Sequence, residues 1–217
     1  MRFAHRAQAG TMLAQKLLAY ADRPDIVVLG LPRGGVPVAY EVAKALHAPL
    51  DVLVARKLGV PGFEELAMGA VAAGGARVLN EDVLAETDVP WEAVEAVTRR
   101  EMHEIERREA EYRGSRPPFD LTHRVVILVD DGLATGATIR AAIAAARAQD
   151  PGRLVVAVPT GARETINALR SLADDVVAVM TPEPFVAVGL WYDDFSPTTD
   201  AEVRALLARN TSFPQRG

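Results

Sequence analysis

The 217-residue sequence has no cysteine. Disulfides, zinc–thiolate sites and cysteine nucleophiles are therefore excluded, and the absence fits a reducing compartment. No apolar run approaches the ~18 residues of a membrane span. The opening stretch MRFAHRAQAG lacks the apolar core of a secretory signal, so the cytoplasm is the expected location and no membrane partner is expected. Basic residues are not in excess, with 24 Lys and Arg against 29 Asp and Glu for a net charge of −5. That balance argues against a nucleic-acid partner held by a broad basic surface. Internal repeats, a Walker A loop and a GxGxxG fingerprint are all missing.

What remains is an ordinary globular composition, 49% hydrophobic and 24% charged, in a chain long enough to bury a substantial core. Apolar runs alternate with helical patterns. Residues 8–21 space Met12, Leu13, Leu17 and Leu18 as on a helix; DIVVLG follows as a strand buried on both faces. A helix from about Val36, a strand LDVLVA, and a hairpin over 66–80 turning at Gly74 and Gly75 come next. Val125–Val129 is a central strand leading into an alanine-rich helix. RLVVAVP, ARETINALRSLA and DDVVAVM then read as strand, helix, strand, and Thr199 caps a last helix. This order predicts one α/β domain over 1–217, a mostly parallel sheet with helices on both faces and a Rossmann-like core. A helical insertion over 80–118 interrupts it. Trp91 to about Tyr112 forms a helix with Val94, Val97, Met102 and Ile105 on a narrow apolar stripe. Its far end, dense in Glu and Arg, reads as a solvated face, with a lid or homodimer arm as the sharper reading. GSRPP at 114–118 breaks it.

The stretch VVILVDDGLATGATIR, residues 125–140, carries most of the chemistry. A strand that ends in a Gly/Thr-rich turn and opens a helix can hold phosphate, because backbone N–H groups converge where the helix contributes partial positive charge. Asp130 and Asp131 stand just before that turn, at the carboxyl end of the strand where open α/β sheets bind ligands. Carboxylates beside a phosphate repel it unless they face another part of the ligand. The vicinal hydroxyls of a phosphorylated sugar meet that demand.

VVILVDDGLATGAT resembles the phosphoribosyl-pyrophosphate motif of the type I phosphoribosyltransferases. The resemblance implies that Asp130 and Asp131 bind the ribose hydroxyls and that Leu133, Ala134, Thr135, Gly136, Ala137 and Thr138 enclose the 5′-phosphate. Pro32, Arg33, Gly34 and Gly35, between strand and helix, resemble the family's pyrophosphate loop; from the residues alone, a simple βα turn explains the glycines equally well. ARKLGVPGFEELAMGAV corresponds to the family's flexible catalytic loop, so Arg56 and Lys57 are expected at the pyrophosphate and Glu64 and Glu65 over the reaction centre. In PEPFVAVGLWYDDF the match implies that Phe185 stacks on the base, Val186 offers backbone hydrogen bonds, and Asp193 lies near base or metal. Core packing of Phe185, Trp191 and Tyr192 is the competing reading.

The implied reaction transfers 5-phosphoribosyl from phosphoribosyl pyrophosphate to a small-molecule base and releases pyrophosphate. Arg33, Arg56 and Lys57 would stabilise the leaving group, and Mg²⁺ is the implied cofactor, held by substrate and through water by Asp130, Asp131 or Asp193. The sequence departs from the hypoxanthine-guanine branch at Ala134, where those enzymes carry a proton-accepting aspartate. Glu65 is the replacement expected here, with Glu64 behind it. A non-catalytic sensor of phosphoribosyl pyrophosphate is the alternative; a pyrophosphokinase is disfavoured by single-domain size and the lack of an ATP loop.

Overall fold

The computed structural model describes residues 1–210. Its larger sheet has five parallel strands in the order β2 (Leu50–Val52), β1 (Ile26–Gly30), β6 (Val125–Val129), β7 (Arg153–Thr160) and β8 (Asp175–Met180). Both faces are covered, and strand alternation decides which side chain goes where. Ile26, Val28, Ile127 and Val129 point into one core with α1 (Arg6–Leu17), α2 (Gly35–Leu46) and α7 (Asp200–Asn210). Val27, Leu29, Val126 and Leu128 point into the other, against α5 (Ala137–Arg147) and α6 (Arg163–Leu169). Thr199 caps α7 as expected: its hydroxyl accepts from the Glu202 N–H at 3.2 Å while the Glu202 carboxylate accepts from the Thr199 N–H at 2.7 Å. Among the described residues no helix is long and apolar enough to cross a membrane.

One expectation changes here. LDVLVA is not one strand: β2 ends at Val52, and Leu53 and Val54 carry the chain into a second, antiparallel sheet. That sheet comprises β3 (Ala55–Val60), β4 (Phe63–Ala72) and β5 (Arg77–Leu79). The segment matched to the flexible catalytic loop forms the β3–β4 hairpin, which turns at Pro61 and Gly62 with Gly62 at φ +83°. The hairpin expected over 66–80 is β4–β5, with Gly74 and Gly75 at φ +77° and +83° in its turn.

The small sheet lies between two helices. Arg56, Val71 and Arg77 align across its strands on the face toward α4 (Trp91–Arg113); Lys57, Ala70 and Val78 align on the face toward α5. A short helix, α3 (Glu81–Thr87), precedes α4. The α4 helix is less solvated than expected. Val94, Val97 and Ile105 are buried as anticipated, but so are Glu101 and Tyr112, whereas Met102 is only partly covered. At its far end Arg113 enters the core edge: its Nε donates to both Asp51 carboxylate oxygens at 2.9 and 3.1 Å, and its Nη2 donates to the Val52 carbonyl at 2.6 Å. The Tyr112 hydroxyl donates to Asp200 at 2.5 Å; burial, reinforced by that carboxylate, pushes its pKa up to about 12. Gly114, at φ +60°, ends the helix where the breaker was expected.

Candidate phosphosugar site

The chain winds from β1 through α2 to β2 in one direction, and from β6 through α5 to β7 in the other. The topological switch point is thus between β1 and β6, which pair in register from Ile26↔Val125 to Gly30↔Val129. The loops leaving these neighbouring strands are residues 31–35 and 130–138, the two segments singled out in the sequence.

They touch. A Cβ on Gly35 would meet the Val129 carbonyl oxygen at 2.6 Å, and one on Gly34 would meet Asp131 Oδ2 at 2.0 Å. The glycines are therefore needed so that the first loop can rest on the acidic strand end. Gly35→Ala is expected to force the two loops apart at a cost of about 1–3 kcal/mol, read as a fall in Tm by thermal denaturation. Arg33 is exposed, with its guanidinium 3.7 Å from Asp200.

Asp130 and Asp131 are partly buried but open to solvent; the Asp131 side chain is 14% exposed. Asp130 Oδ1 accepts from the Asp131 N–H at 2.9 Å. Burial, and then the charge of its neighbour, hold the Asp130 carboxyl well above the usual carboxylate range. Burial also raises Asp131, opposed by Arg6. Arg6 was not anticipated. Its Nε donates to Asp131 Oδ2 at 2.8 Å and its Nη1 to the Ser196 carbonyl at 2.7 Å, while the guanidinium lies 4.0 Å from the Phe195 ring centre. The Tyr192 hydroxyl, also unforeseen, donates to the Asp131 carbonyl at 2.6 Å. Nothing in local spacing links residues 6, 131 and 192; only the fold does.

Leu133 is anchored by its N–H to the Thr160 carbonyl at 3.0 Å, and the Ala134 carbonyl is taken by the Thr165 hydroxyl at 2.5 Å. Gly136 adopts φ +74° and starts α5. Among the described residues the N–H groups of Thr135, Gly136, Ala137 and Thr138 take no partner, as the first amides of a helix do not. Free amides at a helix start are suited to a phosphate.

The remaining candidates divide. Lys57, Glu65, Thr135 and Ala137 line one cavity of about 540 Å³. Arg56 does not join them, because adjacent residues of a strand point to opposite faces. Its Nε donates to Glu101, which is buried in α4 and is also held by Arg100 at 3.0 Å. Arg56, Lys57 and Arg33 are thus not gathered at one anion. Glu64 is exposed on β4. In the C-terminal segment Phe185 stacks on Trp191, ring centres 6.3 Å apart, and Val186 is 74% exposed. Asp193 is turned to Arg2 at 3.2 Å, and Val188 covers Gly132, beside the acidic pair.

A parallel sheet with its ligand loops at the switch point, plus a small antiparallel sheet, is the fold of the type I phosphoribosyltransferases. The phosphoribosyl transferase domain model matches residues 4–189, and the chain belongs to that family. It is 49% identical over 216 residues to a Mycobacterium tuberculosis (strain ATCC 25618 / H37Rv) protein named "Putative phosphoribosyl transferase Rv0571c", covering 99% of this chain. It spans about half of that relative, 48%. The crystal structure of TT1426 from Thermus thermophilus is 42% identical, with a TM-score of 0.81 over 96% of this chain and 99% of that one. Residues of the chain also match the bifunctional protein PyrR of Actinobacillus pleuropneumoniae, 38% identical over 86 residues, 37% of this chain and 47% of PyrR.

Proposed function

We propose that the protein transfers the 5-phosphoribosyl group of phosphoribosyl pyrophosphate to a nitrogenous base, releasing pyrophosphate. The supporting observation is the juxtaposition of two solvent-reachable carboxylates with a run of unpartnered amides at one strand end. The carboxylates accept hydrogen bonds from the ribose diol; the amides of 135–138 and the Thr135 and Thr138 hydroxyls hold the 5′-phosphate. Arg6 fixes the Asp131 carboxylate, so that its free lone pairs face the ligand. Arg33, exposed on the adjoining loop, would exchange its 3.7 Å contact with Asp200 for the diphosphate.

Among the described residues no cluster of three or more His, Asp or Glu side chains could cage a cation. The acidic pair offers oxygen ligands alone, in a place where burial and mutual repulsion call for positive charge. That donor set fits a magnesium ion carried in largely by substrate oxygens and water, with Asp130 and Asp131 as its protein contacts. When bound, it supplies charge neutralisation to the leaving diphosphate. Asp193 lies exposed beside Arg2, apart from the acidic pair, and is not assigned that role. Lys57 and Glu65, on the hairpin, are the groups that can approach the reacting sugar, Glu65 as proton acceptor.

Incubating the protein with phosphoribosyl pyrophosphate, Mg²⁺ and a panel of nitrogenous bases, and measuring pyrophosphate release, tests the reaction. Donor binding by calorimetry without release on any base would favour the sensor reading, which the diversion of Arg56 to Glu101 supports. In an active enzyme Lys57→Ala should lower kcat/KM about tenfold or more. Arg56→Ala should instead lower Tm, since it leaves buried Glu101 with Arg100 alone. Unchanged turnover in Glu65→Gln at saturating substrate would remove Glu65 from the mechanism.

A further inference from the structure

The cradle does not set its own shape. Its first residues lie against the connection between β7 and α6, where Leu133 and Gly161 form an isolated parallel bridge. The Leu133 N–H donates to the Thr160 carbonyl at 3.0 Å, and the Leu133 carbonyl accepts from the Ala162 N–H at 2.9 Å. The next carbonyl, that of Ala134, accepts instead from a side chain: the Thr165 hydroxyl, 2.5 Å away on the first turn of α6. A trans peptide unit is planar, with its C=O and N–H pointing to opposite sides. Drawing the Ala134 carbonyl toward α6 therefore turns the Thr135 N–H away from α6. That N–H is the first of the four unpartnered amides at 135–138, and its direction is set by a residue 31 positions beyond Ala134. Thr165 also bounds the cradle. Gly136, at φ +74°, lies so close that a Cβ there would meet Thr165 Cγ2 at 2.7 Å.

We propose that Thr165 is a positioning residue of the phosphate subsite. Its hydroxyl, by holding the Ala134 carbonyl, aims the Thr135 amide at the 5′-phosphate, and its methyl group supports the chain at Gly136. The inference rests on the phosphoribosyl reading of the cradle and adds to it a side chain that touches no substrate atom. Two substitutions separate its functions. Valine keeps the methyl contact and loses the hydroxyl; serine keeps the hydroxyl and loses the methyl.

Titrating the ¹⁵N-labelled full chain with ribose 5-phosphate, and following the backbone amides by NMR, tests the assignment. In the native chain the Thr135 amide proton should move downfield as it meets the phosphate. In Thr165→Val that movement should fall to less than half, and Kd should rise about three- to tenfold, the range of one imperfectly made hydrogen bond. Thr165→Ser should restore the movement and bring Kd within about twofold of the native value. The proposal is overturned if the valine variant matches the native chain in both readouts, or if serine behaves as valine does. It is equally overturned if valine displaces amides throughout the ligand-free molecule, since Thr165 would then be a residue of the fold. A native chain whose cradle amides ignore ribose 5-phosphate would instead remove the phosphoribosyl reading itself, and this inference with it.

Discussion

Replacing Asp130 with asparagine is expected to make the protein more stable and at the same time a much weaker binder of the proposed sugar donor. The neutral amide keeps the size of the carboxyl and can still accept the Asp131 N–H. It removes a charge that burial and the adjacent carboxylate both disfavour. The gain should be about 0.5–2 kcal/mol near neutral pH, the range of a single relieved functional-site strain. The sign with pH follows from the raised pKa. In the native chain Asp130 holds its proton more tightly folded than unfolded, so its ionisation costs stability progressively as pH rises through the ordinary carboxylate range toward the folded pKa. The asparagine variant avoids that cost. Its advantage in Tm should be largest at neutral pH and should vanish in acid, where Asp130 is protonated in both states. Donor affinity should fall roughly 10- to 150-fold, since a charge-assisted hydrogen bond contributes about 1.5–3 kcal/mol. Thermal melts across pH and calorimetry with Mg²⁺-phosphoribosyl pyrophosphate measure the two effects. A variant that melts lower than the native chain at neutral pH would show that Asp130 is a structural residue.

The second large effect is remote from the site. The Arg113 and Asp51 side chains are 9% and 6% exposed, and the pair is further fixed by the Arg113 bond to the Val52 carbonyl. Removing Arg113 leaves the Asp51 charge buried without compensation, whereas removing Asp51 leaves Arg113 its second carboxylate, Glu109, at 3.0 Å. Arg113→Ala should therefore cost about 3–5 kcal/mol, seen as a large drop in the denaturant midpoint, and Asp51→Ala less. Substituting both residues with apolar ones of similar volume should recover much of that loss, because the desolvation of both ions disappears together. If the single variants unfold at the native midpoint, α4 is not anchored through this pair.

The sequence was most informative where one element dictates its own conformation. The βα alternation, the apolar strands, the glycine turn at 74–75, and the strand–cradle–helix run over 125–140 could all be read from local pattern. What could not be read depended on which way a side chain points once sheets are assembled. Arg56 and Lys57 look like one basic pair in the sequence, yet a strand of the small sheet sends them to different helices. Two buried charges did leave a trace. Asp51 interrupts an apolar run destined for a covered strand, and so needed a partner. Glu101 falls on the helical repeat Val94, Val97, Glu101, Ile105, on the buried stripe itself. Arg6 left no such sign: its partners lie 125 and 190 residues away in the chain.

Among the hydrogen-bond donors of the cradle, the four at 135–138 belong to the main chain. Alanine scanning would not reach those amides: two of the six positions from 133 to 138 are alanine already, and alanine at Thr135 or Thr138 removes only a hydroxyl. Only a change that erases an amide hydrogen, such as proline, or one that fills the concavity would expose how much of the ligand's grip resides in atoms every residue shares.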